Sequence, residues 1–199
     1  VNLVQSDIIA TNTTTFTLNN PGLNVFTATS DGNIDLTLNT TTSSAPNYPL
    51  AGSKAGNSSI TLIDLSDVAG TNSLTLGNVS EGTFAAAAEI KTSVKGGSIS
   101  LGLEAATDAI TVTGNVGVDN ITVSGGSITA NLGDGNDIIS AAGQNATTAP
   151  GKLVANGDAG DDQLTGGYAA DTLNGGAGSD TLKGNGGADL LDGGEGSDT

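Results

Sequence analysis

Five aspartates, Asp162, Asp171, Asp180, Asp189 and Asp198, recur every nine residues, and Leu164, Leu173, Leu182 and Leu191 each follow one of them by two. Residues 157–199 divide into GDAGDDQLT, GGYAADTLN, GGAGSDTLK, GNGGADLLD and GGEGSDT: two turn residues, usually Gly, then x-G-x-D-x-L-x. The x-Asp-x-Leu-x half reads as a short strand whose leucine points to an inner stack. The glycine-rich half reads as a turn, where glycine tolerates positive φ and lets backbone carbonyls converge. If two units make one coil, residues eighteen apart stand above one another. Asp162, Asp180 and Asp198 then line one edge, and Asp171 and Asp189 the other. A low-complexity Gly/Asp linker has no reason to keep both phases.

Stacked strands lie about 4.7–4.9 Å apart. Two carboxylates at that spacing repel by roughly 1 kcal/mol in water and about 3–4 kcal/mol at an effective dielectric of 20. Such a stack needs a cation to close. Carboxylates and turn carbonyls can supply the six or more oxygen ligands that Ca²⁺ takes, whereas Mg²⁺ prefers to keep its water and a stricter octahedron. His and Cys are both absent, and a set of oxygen donors alone favours a hard cation. With ~1 mM calcium and a Kd of ~0.1 mM, each site adds about 1.4 kcal/mol, and five add about 7 kcal/mol, comparable to the stability of a whole domain.

The charge balance points the same way. The chain carries 21 Asp and Glu against five Lys and Arg, a net charge of -16. That excludes ordinary nucleic-acid binding, which depends on phosphate neutralisation, and disfavours an anionic membrane surface. No apolar run approaches the ~18 residues of a membrane span. The N-terminus shows no Sec-type signal, and the chain ends in mid-unit at Gly196-Ser197-Asp198-Thr199, as a piece of a longer chain does. Without Cys, stability does not come from disulfides.

Composition shifts near residue 113. Residues 1–112 hold nine acids against three Lys, and residues 113–199 hold twelve against two, so the net is -6 before the shift and -10 after it. Upstream, TFTL, VFTAT, IDLTL, ITLIDL and SLTL alternate apolar with small polar residues and predict half-buried strands. Residues 40–59 lack a period and read as a loop; EGTFAAAAEI, residues 81–90, is the one helix-like run. Asp108-Ala-Ile-Thr-Val-Thr-Gly repeats as Asp119-Asn-Ile-Thr-Val-Ser-Gly eleven residues on, which suggests stacked turns. The expected division is a Thr/Asn/Ser-rich β region over 1–96, a solenoid with degenerate repeats over 97–156, and the nonapeptide roll over 157–199. For residues 1–96, sandwich and irregular solenoid both remain open. Asp119 and Asp137 are eighteen apart and in register, whereas Asp137 to Asp162 is twenty-five, so Ala141 to Lys152 is expected to loop out. Asp134, Asp158, Asp161, Asp192 and Glu195 read as solvated turn acids, and Tyr168 as a packing residue.

The nonapeptide resembles the G-G-x-G-x-D-x-U-x repeat of RTX calcium-binding proteins over residues 157–199, with weaker copies around Asp137 and Asp119. The resemblance implies an all-β fold, a parallel β-roll with calcium between turns preceded by a β-solenoid or β-sandwich. It implies Ca²⁺ ligation by the carboxylates of Asp162, Asp171, Asp180, Asp189 and Asp198, with Asp137 and Asp119 as further candidates. It also implies ligation by carbonyls of the glycine turns, at Gly157, Gly160, Gly166, Gly175, Gly178, Gly184, Gly187, Gly193 and Gly196. Secretion by a type I system and folding in external calcium follow from the same resemblance. The Thr/Ser/Asn/Ala/Gly-rich composition is similar to that of RTX-type S-layer proteins such as those of Caulobacter. The expected function is a calcium-dependent, self-assembling cell-surface protein, an S-layer or filament subunit. Its partners would be calcium, copies of itself and cell-surface polysaccharide, with no nucleic acid and no membrane insertion. A segment of a large RTX adhesin, and the non-catalytic secretion region of an RTX enzyme or toxin, stay open as alternatives. An enzyme is not expected: without His there is no H-E-x-x-H zinc site and no triad base, and no G-x-S-x-G occurs.

Overall fold

The computed structural model describes residues 2–8, 14–16, 25–30, 34–39, 60–68, 72–79, 84–103, 109–142 and 151–199. The expected loop over 40–59 lies outside these residues, as does the middle of the segment expected to loop out before Lys152. The described residues form strands β1 (Asn2–Ile8), β2 (Thr14–Phe16), β3 (Val25–Ser30), β4 (Ile34–Asn39), β5 (Ile60–Val68), β6 (Asn72–Val79), β7 (Phe84–Lys91), β8 (Gly97–Leu103), β9 (Ala109–Asn115), β10 (Asp119–Ser124), β11 (Ser127–Gly133), β12 (Ile138–Ser140), β13 (Leu153–Ala159), β14 (Gln163–Thr165), β15 (Thr172–Gly178), β16 (Thr181–Lys183) and β17 (Leu190–Gly196). Odd-numbered strands make one nine-stranded sheet and even-numbered strands an eight-stranded one. The described pairings are parallel, each strand bonding to the next but one. Each coil therefore gives one strand to each sheet, and the chain is a two-sheeted parallel β-solenoid.

Two apolar ladders run up its interior. In the odd sheet Ile63, Ile90, Val112, Ala130, Ala155, Leu173 and Leu191 stand in register. In the even sheet the ladder is Leu74, Ile99, Ile121, Ile139, Leu164 and Leu182. Side chains alternate across a strand, so β10 reads buried-exposed along its length, with Ile121 and Val123 inside. The four leucines at nine-residue spacing thus belong alternately to the two ladders.

Parallel stacking decides for the solenoid over the sandwich upstream. The helix-like run is also corrected: Phe84–Lys91 is strand β7. Ala88 and Ile90 are buried and pair with Ile110 and Val112, and this long-range packing overrides alanine's preference for helix. The eleven-residue echo is half a coil. Ile110 lies in the odd sheet, while Ile99 and Ile121, twenty-two residues apart, stack in the even sheet.

Candidate metal centre

The register brings Asp119, Asp137, Asp162 and Asp180 into one column at the start of β10, β12, β14 and β16, and Asp198 continues that column. Each backbone N–H donates to Oδ1 of the next aspartate: Asp119 to Asp137 at 2.7 Å, Asp137 to Asp162 at 2.7 Å, Asp162 to Asp180 at 2.8 Å and Asp180 to Asp198 at 3.0 Å. The spacing between Asp137 and Asp162 is longer by seven residues, yet they are neighbouring rungs. The opposite edge carries a shorter column, where Leu153 N–H donates to Asp171 Oδ1 at 2.8 Å and Asp171 N–H to Asp189 Oδ1 at 2.9 Å. A carboxylate in either column satisfies the N–H of the preceding coil at the point where its strand begins.

Except at Asp137, the other carboxylate oxygen faces a glycine five residues earlier. A Cβ built on Gly157 would collide with Asp162 Oδ2 and with Gly175 O of the following coil. The same pair of oxygens recurs at Gly175, with Asp180 Oδ2 and Gly193 O, and at Gly166, with Asp171 Oδ2 and Gly184 O at 2.7 Å from such a Cβ. Gly184 and Gly193 leave the same space before Asp189 Oδ2 and Asp198 Oδ2. Glycine is thus needed here because a carboxylate and a carbonyl oxygen converge on the space a side chain would take. Asp162 Oδ2 and Asp180 Oδ2 are buried and accept no hydrogen bond, as are Asp137 Oδ2 and Asp119 Oδ1. Asp171 Oδ2 accepts from Gly167 N–H at 2.7 Å.

Buried acceptors without donors are costly, and burial pushes Asp119 and Asp137 up to about 7 and Asp162 to about 6. For Asp137 and Asp162 the neighbouring aspartates add to the effect of burial. A cation held against these oxygens would supply the missing partner and reverse the shift. Among the described residues no three His, Cys, Asp or Glu side chains gather at one point, so a cation here needs backbone carbonyls as well. The donors facing the glycine gaps are carboxylate and peptide oxygens alone, which fits Ca²⁺.

The remaining turn glycines are required by the backbone as well. Gly160, Gly178 and Gly196 have φ of 143°, 145° and 138°, and a Cβ on each would strike the carbonyl of the glycine one coil earlier, Gly135, Gly160 or Gly178. Gly187, at φ 118°, abuts Ala169 O in the same way. The second turn position takes Asp158 and Asn185 at φ 69° and 68°, residue types that tolerate left-handed backbone. Asp134, Asp158, Asp161, Asp192 and Glu195 are all exposed. Tyr168 is half exposed, its ring lying over Gly186. Two residues beside the aspartate column drew no attention in the sequence. Leu132 holds the position of Gly114 and Gly157, and the Thr92 hydroxyl donates to Asp119 Oδ2 at 3.0 Å. The available signal was the residue five before each aspartate, which is Gly in every repeat but Leu before Asp137.

A family model for the RTX calcium-binding nonapeptide repeat (4 copies) matches residues 154–182 and 165–199. No curated protein and no solved structure matches the chain.

Proposed function

We propose that this chain is a secreted, calcium-dependent structural protein whose C-terminal coils close around Ca²⁺, and which self-assembles at the cell surface as an S-layer or filament subunit. The observation that carries the calcium part is the repeated gap beside Gly157 and Gly175, where a buried, unpartnered Asp oxygen faces a carbonyl of the next coil. Asp162, Asp171, Asp180, Asp189 and Asp198 are the proposed carboxylate ligands, with carbonyls of the turn glycines completing the shell. The match to calcium-binding repeats over the same residues supports this reading.

The structural role is supported by different observations. The described strands form one extended stack, and the chain lacks His and Cys, the side chains most used for acid–base and nucleophilic work at neutral pH. The acid density would keep neighbouring copies apart without a counter-cation, so calcium serves assembly as well as folding. Negative-stain microscopy paired with circular dichroism, with and without millimolar Ca²⁺, tests both parts. β-structure together with regular lattices or filaments in calcium alone is the expected result. β-structure in calcium with only monomers present would remove the assembly role and leave the calcium roll.

A further inference from the structure

Two columns of the stack change character at β13. The column ending in Asp171 and Asp189 reads, going upstream, Leu153, Ile128, Ile110 and Ala88, none of them more than 2% exposed. The edge that carries carboxylates in the last coils is therefore a hydrophobic ladder in the earlier ones. The column of glycines facing the aspartates reads Thr92, Gly114, Leu132, Gly157, Gly175 and Gly193 in coil order. Leu132 is fully buried in the apolar core, so the rung that Gly157 leaves without a side chain carries a buried leucine one coil earlier, five residues before Asp137. At Asp119 the oxygen facing Gly114 already has a donor, the Thr92 hydroxyl. A free carboxylate oxygen and an open glycine gap coincide at Asp162 and Asp180 but not at Asp119 or Asp137.

We infer that the solenoid has two parts with different requirements: coils over residues 84–142 fold without calcium, and those over 153–199 assemble on them only when calcium binds. Leu132 and Thr92 are the residues that keep calcium off Asp137 and Asp119, and Leu153 is the last apolar rung before the acidic edge. The pre-formed end strands β11 and β12 offer unpaired backbone N–H and C=O groups to β13 and β14, so ordering proceeds from Leu153 toward Gly196. A single polypeptide thus holds a permanent template and a calcium-gated extension. This inference rests on the calcium reading of residues 157–199.

Hydrogen exchange by mass spectrometry on the full chain, in calcium-free buffer and in millimolar Ca²⁺, tests the division. Peptides within 88–132 should be protected at least about tenfold in both buffers, and peptides within 157–199 only in calcium. Free exchange of 88–132 in calcium-free buffer overturns the inference. Equilibrium dialysis with ⁴⁵Ca separates it from the reading beneath it. Asp137→Asn, which keeps the acceptor for Asp119 N–H, should leave the number of bound ions unchanged, and Asp162→Asn should lower it by one. If both variants lose an ion, Leu132 does not close the Asp137 site and the inference fails while the calcium roll stands. If the unaltered chain binds no calcium, both fail.

Discussion

The backbone N–H of Asp162 donates to Oδ1 of Asp180, eighteen residues further along the chain and 2.8 Å away. Asp180 therefore joins two coils through one oxygen and presents the other, buried and unpartnered, to the gap at Gly175. The two duties are separable. Asp180→Asn keeps the acceptor and should lose one calcium ion. Asp180→Ala loses the acceptor as well, and a hydrogen bond to a charged group contributes about 1.5–3 kcal/mol. In saturating calcium, melting should place the alanine variant below the asparagine variant by about that amount. Asp192→Asn, at an exposed position, should stay within about 0.5 kcal/mol of the parent.

Gly175→Ala should remove a calcium site although it alters no carboxylate. The added methyl would collide with Asp180 Oδ2 and Gly193 O, the two oxygens proposed to hold the ion. Calcium titration by calorimetry should show one site fewer. Gly178→Ala acts differently, since φ is 145° there and the methyl would strike Gly160 O. It should destabilise the roll by more than about 1 kcal/mol without a selective change in stoichiometry.

Acid should stabilise the metal-free chain and weaken its hold on calcium. In the coils that fold without calcium, burial raises Asp119 and Asp137 to about 7 from an ordinary 3.8, while Asp162, raised to about 6, belongs to the coils that need calcium. A carboxyl whose pKa is raised in the folded state prefers its proton there. The contribution of Asp119 and Asp137 is complete below about 4 and is lost as pH rises through about 7. Melting temperatures in calcium-free buffer should therefore fall between pH 5 and pH 8. Calcium affinity should move the opposite way, weakening as pH drops below about 6, because a proton competes for Asp162. A flat profile in calcium-free buffer would contradict the burial of these carboxyls.

Leu173 is fully buried in the odd-sheet ladder, between Ala155 and Leu191. Leu173→Ala should cost about 2–5 kcal/mol and raise the calcium concentration at which the roll folds. Leu191, at 46% exposure, should lose less when shortened to Ala. Far-UV circular dichroism followed through a calcium titration reads both.

The last coils were legible because their period never varies: Asp and Leu keep a nine-residue phase, and that phase places Asp162 over Asp180 and Leu164 over Leu182. Asp119 and Asp137 were legible as rungs from their spacing of eighteen. Upstream, coil length changes from rung to rung. Ile99 to Ile121 is twenty-two residues, Ile110 to Ile128 eighteen, and Ile128 to Leu153 twenty-five, so no fixed period exists to be found. Strand β7 hid behind its alanines, because propensity is local and its pairing with β9 is not. Leu132 and Thr92 were missed because their effect depends on what stands beside them in the next coil.

The most direct test is a crystal structure grown in millimolar Ca²⁺, with anomalous scattering used to locate the ions. The account predicts peaks beside Gly157 and Gly175, within about 2.3–2.6 Å of Asp162 Oδ2 and Asp180 Oδ2. Empty gaps at both positions, or calcium bound instead to the exposed acids Asp158, Asp161 and Asp192, would contradict it.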